Sequence, residues 1–382
     1  MADPDGLTKE QLQSWLATLF PDVKAGLSVV PLMADASTRR YFRAQWRHLE
    51  AEKTVSRVIM VGDPWPETET PDFVAVSQHL AASGVRVPTI DGVAAASGWI
   101  CLQDFGDRTL ADVWRDADLP ERLVWGQRAL DALVRMHTTA TQYRHHSCPA
   151  FHLAFDVPKL LSELQHFRSH AIEGLWQRVL SDDEREAFEA ACLPLCTHLE
   201  AQPRYFCHRD YHGWNIMAED KTVGILDFQD ARMGSQPYDV VSLLVDRRTP
   251  WLLGPDISTA LVQYYLDRFE AESGQRVDRA AFDELFELVA VQRCLKAIGT
   301  FAAMHVAYGR SQYLPYIAPT LHYVRPLVQR HAMLSALAAF LYRYTPLDRS
   351  NQTASLSRHG SKWRLSHMGL KHQHPATTTF KT

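Results

Sequence analysis

Strand-like patterns crowd into the first hundred residues of this chain and return once, over roughly 204–228, within a stretch whose apolar spacing is otherwise helical. That distribution limits the fold more than any other feature. Strands followed by runs of helices segregate into a sheet-bearing part and a helical part, whereas regular alternation would build a parallel sheet. A helix is expected from Thr8, with Gln11 in capping-box register and Leu12, Trp15, Leu16 and Leu19 at helical spacing. Strands are expected over 27–33, 41–46, 55–61 and 99–103, and a helix from Asp72 to about Ala82, stopped at Ser83-Gly84. Beyond Thr109 the helical runs are 121–138, 157–171, 182–200, 257–273 and 279–307. The fold class is therefore α+β and bilobal. A small β-rich lobe spans 1–103 and a larger helical lobe spans 104–335, with the crevice between them as the natural ligand site.

Composition narrows the partners. With 382 residues, 46% hydrophobic and 22% charged, the chain can bury a large core, which excludes collagen, coiled-coil and wholly disordered classes. A net charge of −4 offers no polycation for nucleic acid. No uncharged apolar run reaches the ~18 residues of a membrane span, and MADPDGLTKEQ lacks a basic-then-apolar leader. Six cysteines are too few for a disulfide scaffold, so a cytoplasmic protein is expected. Residues 336–382 carry seven Lys/Arg against Asp348 alone, which leaves −10 on the rest; this basic, Ser/Thr/His-rich stretch reads as a disordered tail. Its His359, His367, His372 and His374 read as solvated. Cys192 and Cys196 lack a second pair to complete a metal site, and the Leu160, Leu161, Leu164, Phe167 stripe reads as core.

The β-rich island carries the chemistry. It holds His208-Arg209-Asp210, Asn215 five residues after the aspartate, and Asp227-Phe228 twelve residues after the asparagine. The His-x-Asp-x4-Asn skeleton arises by chance in roughly one chain in fifty of this length, and the later Asp-Phe cuts that about a hundredfold. Phosphoryl transfer needs a carboxylate beside the attacking hydroxyl and metal ions on the phosphates. Asp210, on a loop, can accept or orient the hydroxyl proton. Asn215 and Asp227 offer hard oxygens suited to Mg²⁺. His208 reads as a loop support, and Asp239, in Pro237-Tyr238-Asp239, as a helix-opening brace for the loop backbone. Asp230 stays open between an extra metal ligand and a cap, the cap being preferred.

At these residues the sequence resembles the aminoglycoside phosphotransferase and choline kinase superfamily, and within it the bacterial anomeric kinases for N-acetylmuramate and N-acetylglucosamine. Four segments carry the resemblance: 35–43 (DASTRRYFR), 207–217 (CHRDYHGWNIM), 226–231 (LDFQDA) with Tyr238-Asp239, and 292–301 (QRCLKAIGTF) with 310–313. It implies a protein-kinase-like fold, ATP between the lobes with Mg²⁺, and an amino-sugar substrate handled by a monomer or weak dimer. It also implies adenine near the connecting strand, at the backbone of Gln103 and Asp104, and a loop with Ser37 and Thr38 over the phosphates.

The chain departs from the resemblance in two places. Such folds usually place a lysine on the third strand, paired with a helix glutamate; here Met60 stands there and the helix offers Gln78. Arg40 and Arg43 are the candidate replacements, since alternation along 39–43 aims one of them inward. Trp214 stands where the sub-family has an arginine. Other functions left open are an aminoglycoside or other small-metabolite phosphotransferase, which the −10 body suits, and a non-catalytic pseudokinase-like binding module.

Overall fold

The computed structural model describes residues 9–20, 23, 26–32, 39–47, 53–144 and 147–346. The first lobe is built on β1 (Ser28–Leu32), β2 (Arg40–Arg47), β3 (Thr54–Val61), β4 (Ile90–Ala94) and β5 (Trp99–Gln103). They form one antiparallel sheet in the order β1-β2-β3-β5-β4. Strand alternation gives the sheet two different faces. Phe42, Ala44, Trp46, Ile59, Val61 and Cys101 pack under Leu12 and Leu16 of α1 (Lys9–Leu19). Tyr41, Arg43, Val58, Met60 and Leu102 lie on the opposite face, toward α2 (Asp72–Ala82) and the second lobe. Strand β4 is absent from the expected set; its register slips at Gly92, which breaks the period-2 signal.

The second lobe is helical, with α3 (Leu110–Asp116), α4 (Leu119–Arg135), α5 (Val157–Phe167) and α6 (Asp182–Glu200) leading to the island. The island contains β6 (Arg204–Cys207), β7 (Ile216–Glu219), β8 (Thr222–Ile225) and β9 (Arg232–Ser235), paired as β6-β9 and β7-β8. After it come α7 (Pro237–Val245), α8 (Thr249–Ser273), α9 (Arg279–Tyr308), α10 (Ile317–Arg330) and α11 (Ser335–Tyr344). Capping boxes at Thr109–Asp112 and Ser181–Glu184 start α3 and α6. The helix expected at 257 begins eight residues earlier, and a break at Gly254 (φ 72°) before Pro255 divides it. Burial around the whole girth of α9, from Leu288 to Leu295, makes it the central helix of this lobe.

One boundary needs correction. Charge and composition place all of residues 336–382 in a tail, yet Ser335–Tyr344 forms α11. Its Leu337, Phe340 and Leu341 are buried, and the Phe340 ring lies 5.0 Å from Phe188 of α6. Apolar residues at i, i+3 and i+4 are the helical signal there, masked by the basic composition of residues 347–382. Those residues, with the four tail histidines, lie outside the described residues, as do Thr8, Ser37 and Thr38.

Candidate active site

A hairpin explains why Asn215 and Asp227 are twelve residues apart. Strands β7 and β8 pair from Ile216↔Ile225 to Glu219↔Thr222. Their two-residue turn, Asp220-Lys221, has φ of 46° and 62°, the left-handed pair that matches strand twist. At the open end, Leu226 donates its N–H to the Asn215 carbonyl (2.9 Å), which brings residues 215 and 227 side by side. Asn215 Nδ2 donates to the Asp210 carbonyl (3.0 Å) and to Asp227 Oδ2 (3.3 Å), while Gln229 Nε2 donates to Asp227 Oδ1 (2.8 Å). Three oxygen-bearing side chains thus gather on one wall. Arg209 (φ 83°) and Asp227 (φ 61°) both adopt the left-handed region, which non-glycine residues enter at a cost.

The loop before Asn215 is held from below. Asp239, fully buried near the start of α7, accepts the N–H groups of His208 (2.6 Å) and Arg209 (3.1 Å). Burial pushes its carboxyl up to about 6 even against these donors and nearby cations. His208 Nε2 lies 2.8 Å from the Leu226 carbonyl and so carries the proton, tying the two loops together. Among the described residues, His137, Cys207 and Asp239 also lie close enough to hold a metal. Burial pushes that thiol well above its usual range, and both Asp239 oxygens are taken by N–H groups, so the trio makes a poor metal site.

Asp210 projects into the cavity with about a quarter (26%) of its side chain exposed. Lys296 Nζ of α9 lies 2.8 Å from its Oδ1. Arg293, one turn earlier, donates to the Arg209 carbonyl (2.5 Å) and lies over the Tyr238 ring at 4.8 Å. Burial opposes the charge on Asp210, but Lys296, Arg209 and Arg293 outweigh it and hold the carboxyl well below the usual range. Asp230 does not act as a helix cap among the described residues; its carboxylate pairs with Arg209 Nη1 at 2.8 Å.

The opposite wall corrects two expectations. Arg43 faces the cavity beside Val58, gripping Asp104 (2.7 and 3.0 Å), Asp107 (2.6 Å) and the Gly106 carbonyl (3.1 Å). Arg40 falls on the other face of the sheet, its guanidinium 5.8 Å from the Phe42 ring, because alternation sends Arg39, Tyr41 and Arg43 inward together. Gln103 lines the cavity, but its N–H is spent on the Thr89 carbonyl (2.9 Å), so that donor is closed to a ligand. The Asp104 carboxylate is also occupied, by Arg43, by Ser56 Oγ (2.5 Å) and by the Gly106 N–H (2.9 Å). Met60 is buried against α2 and lies outside the cavity lining, and Gln78 is exposed. Phe73 of α2 stacks on Phe228 at 4.9 Å, joining the upper lobe to the Asp227 turn.

The cavity between the walls measures about 930 Å³, near the upper end for small-molecule sites and roomy enough for two substrates. Its far end is lined by His212, Trp214, Arg247, Lys296, Thr300, Phe301 and Tyr313. Sequence reasoning missed Lys296, Arg293 and Arg247. The signal for the first two was present: cations at i and i+3 on a helix otherwise apolar all round need a polar space to face. Arg247 sits in a loop, where periodicity says nothing.

Residues 28–285 match the phosphotransferase enzyme family. The N-acetylmuramate/N-acetylglucosamine kinase of Neisseria meningitidis is 31% identical over 340 residues, 87% of this chain and 94% of that protein. Its namesake in Pseudomonas aeruginosa is 30% identical over 87% of this chain and 95% of its own length. Among solved structures, choline kinase from Cryptosporidium parvum superposes with a TM-score of 0.56 at 10% identity, covering 88% of this chain and 100% of that one. A choline/ethanolamine kinase family protein from Mesorhizobium loti gives 0.52 at 12% identity, with the same coverage. Those two likenesses speak for the fold, which is the bilobal kinase-like one expected. The family match over two thirds of the length and the relatives 30–31% identical over most of it establish that the chain belongs to the phosphotransferase enzyme family, as a small-molecule kinase.

Proposed function

We propose that the chain transfers the γ-phosphate of ATP to the anomeric hydroxyl of an N-acetylated amino sugar, N-acetylmuramate or N-acetylglucosamine. The carrying observation is the convergence of Asp210, Asn215 and Asp227 on one cavity wall, in a chain 28–31% identical to four kinases of that name. In this reading Asp210 accepts a hydrogen bond from the sugar hydroxyl and aims it. A carboxyl held so far below its ordinary range is a weak base, so orientation is its main work and the proton leaves late. Lys296 keeps Asp210 ionised and adds positive charge where the phosphoryl group passes.

The donor set fits magnesium. Both hydrogen bonds of Asn215 Nδ2 leave its amide oxygen available, and Asp227 adds a hard carboxylate. Bound there, Mg²⁺ would neutralise charge on the β- and γ-phosphates. In this reading Arg43, delivered from β2 opposite Val58, stands in for the third-strand lysine, with Asp104 in the place of that lysine's acidic partner. Leu32, Val58 and Leu102 above, with Met217 and Leu226 below, make an apolar slot for a flat base.

Cations among the far-end residues disfavour a polycationic drug as acceptor. Arg247 and Lys296 line that end and Arg209 stands beside it, so the nearby Asp210, Asp230 and Asp246 are each matched by a cation and form no acidic pocket. Trp214, Phe301 and Tyr313 give a hexose ring flat faces to lie against. The test is a parallel assay of ADP release with ATP and Mg²⁺ on N-acetylmuramate, N-acetylglucosamine and kanamycin, with phosphorus NMR of the product. A phosphate on C1 of a sugar is expected. Turnover of kanamycin alone, or a phosphate on another carbon, would overturn the assignment.

A further inference from the structure

Arg247 is the least satisfied cation of the cavity. It sits in the loop joining α7 to α8, at φ 43°, a left-handed conformation that a bulky residue adopts only when its surroundings require it. Its guanidinium carbon lies 4.5 Å from the Trp214 ring centroid, 5.6 Å from Tyr313, 5.7 Å from Phe301 and 6.0 Å from Tyr316. Only 15% of the side chain is exposed. Yet it makes no hydrogen bond among the described residues, and its Nε is buried without a partner. The Asp246 carboxylate, 3.6 Å from Nε, is its one close anion and has itself a buried oxygen without a hydrogen bond. Aromatic rings take the faces of a guanidinium and leave its edge, the side that forks onto a carboxylate. The His212 imidazole lines the same cavity, near enough to Asp246, Arg247 and Asp210 to feel their charges.

We propose that Arg247 is the specificity-determining residue of the acceptor end, pairing edge-on with the carboxylate of an acidic amino sugar whose hydroxyl is presented to Asp210. The inference rests on the amino-sugar kinase reading and deepens it. Of the two sugars, N-acetylmuramate carries such a carboxylate on its lactyl ether and N-acetylglucosamine carries none. Trp214 and Tyr313 then serve twice, steadying the guanidinium and walling the sugar ring. Pairing with the substrate also gives an acceptor to a half-buried arginine that is packed among aromatic rings and makes no hydrogen bond of its own among the described residues.

Initial rates of the full-length enzyme with ATP and Mg²⁺ test this. In the wild type, the methyl ester of N-acetylmuramate should lose about 100-fold in kcat/KM against the free acid, the scale of a charge-assisted pair. In Arg247→Gln the acid and its ester should become equivalent, and the preference for N-acetylmuramate over N-acetylglucosamine should fall by a similar factor. Equal turnover of acid and ester by the wild type overturns the inference without any variant having to fold. An equal loss on both sugars in Arg247→Gln overturns it too, because that is what a purely structural arginine would show. A wild type that phosphorylates N-acetylglucosamine and not N-acetylmuramate defeats this inference and leaves the kinase reading standing. A wild type inactive on both defeats that reading and this one with it.

Discussion

Asp239 and Asp210 are two carboxylates in one site driven in opposite directions. Asp210 has Lys296 at 2.8 Å, with Arg209 and Arg293 close by, and stays ionised far into acid. Asp239 has two backbone N–H groups and a buried seat, and its carboxyl rises to about 6 from an ordinary 3.8. The acid limb of activity should therefore belong to Asp239. As pH falls through about 6 it takes up a proton, one N–H of the His208-Arg209 pair loses a charged acceptor, and the loop carrying Asp210 loosens. The effect on stability has the other sign. A carboxyl raised in the fold is protonated more readily there than in the unfolded chain, so its ionisation costs nothing below 3.8, increasingly more up to about 6, and a constant amount above. Turnover should drop between pH 7 and 5.5 while near-UV circular dichroism stays native, and Asp239→Asn should flatten that limb at a rate about tenfold lower. A limb that persists in the variant would assign it elsewhere. At this scale, a motif of fixed spacing revealed Asp210, Asn215 and Asp227. Lys296 comes from 86 residues downstream, and a pairing that only the folded chain creates leaves no local trace.

Elements place these residues through close approaches as much as through side chains. The central helix α9 carries Arg293, Lys296 and Thr300 on its cavity side because Gly299 presses its bare backbone against α5. A Cβ at Gly299 would lie 2.7 Å from Phe167 Cα and 2.8 Å from its nitrogen, both backbone atoms that cannot step aside. Gly299→Ala should therefore cost about 1–3 kcal/mol in urea unfolding, despite alanine's better helix propensity. It should also lower kcat, because the displaced helix drags Lys296 from Asp210. Unchanged stability would mean that α9 and α5 are less rigidly engaged than the contact indicates. Strong periodicity made α2, α6 and α9 readable to within a residue. Strands β4 and β9 escaped notice, since five and four residues with a slipped register or an interior glycine carry too little alternation.

The two lobes are tied by an apolar core that α2 shares with the helical lobe, by His79 Nε2 at 2.9 Å from the Ala140 carbonyl, and by contacts at the mouth of the cleft. Phe73 stacks on Phe228, Arg86 pairs with Glu219 and lies 4.3 Å from the Phe105 ring, and that ring fills the space above Gly224 of β8. The ties through Phe73, Arg86 and Phe105 end on the hairpin or the turn that positions Asn215 and Asp227, so the two lobes share the site and neither owns it. The far end of the helical lobe is closed differently, by α11 lying on α6. Leu334, Leu337, Phe340 and Leu341 are buried there, Phe340 faces Phe188, and Tyr344 reaches Glu184 at the start of α6. At about 1.5–3 kcal/mol for each fully buried apolar side chain, this closure rivals the net stability of about 5–15 kcal/mol typical of a whole domain. Two truncations separate α11 from the basic residues C-terminal to it. A chain ended after Pro346 keeps every one of these contacts and should melt within about 2 °C of the full length. A chain ended after Arg330 exposes Phe188 and the α6 face and should melt more than about 10 °C lower or fail to stay in solution. Matching melting temperatures for the two would show that α11 is an appendage, and that the boundary read from charge alone was in the right place after all.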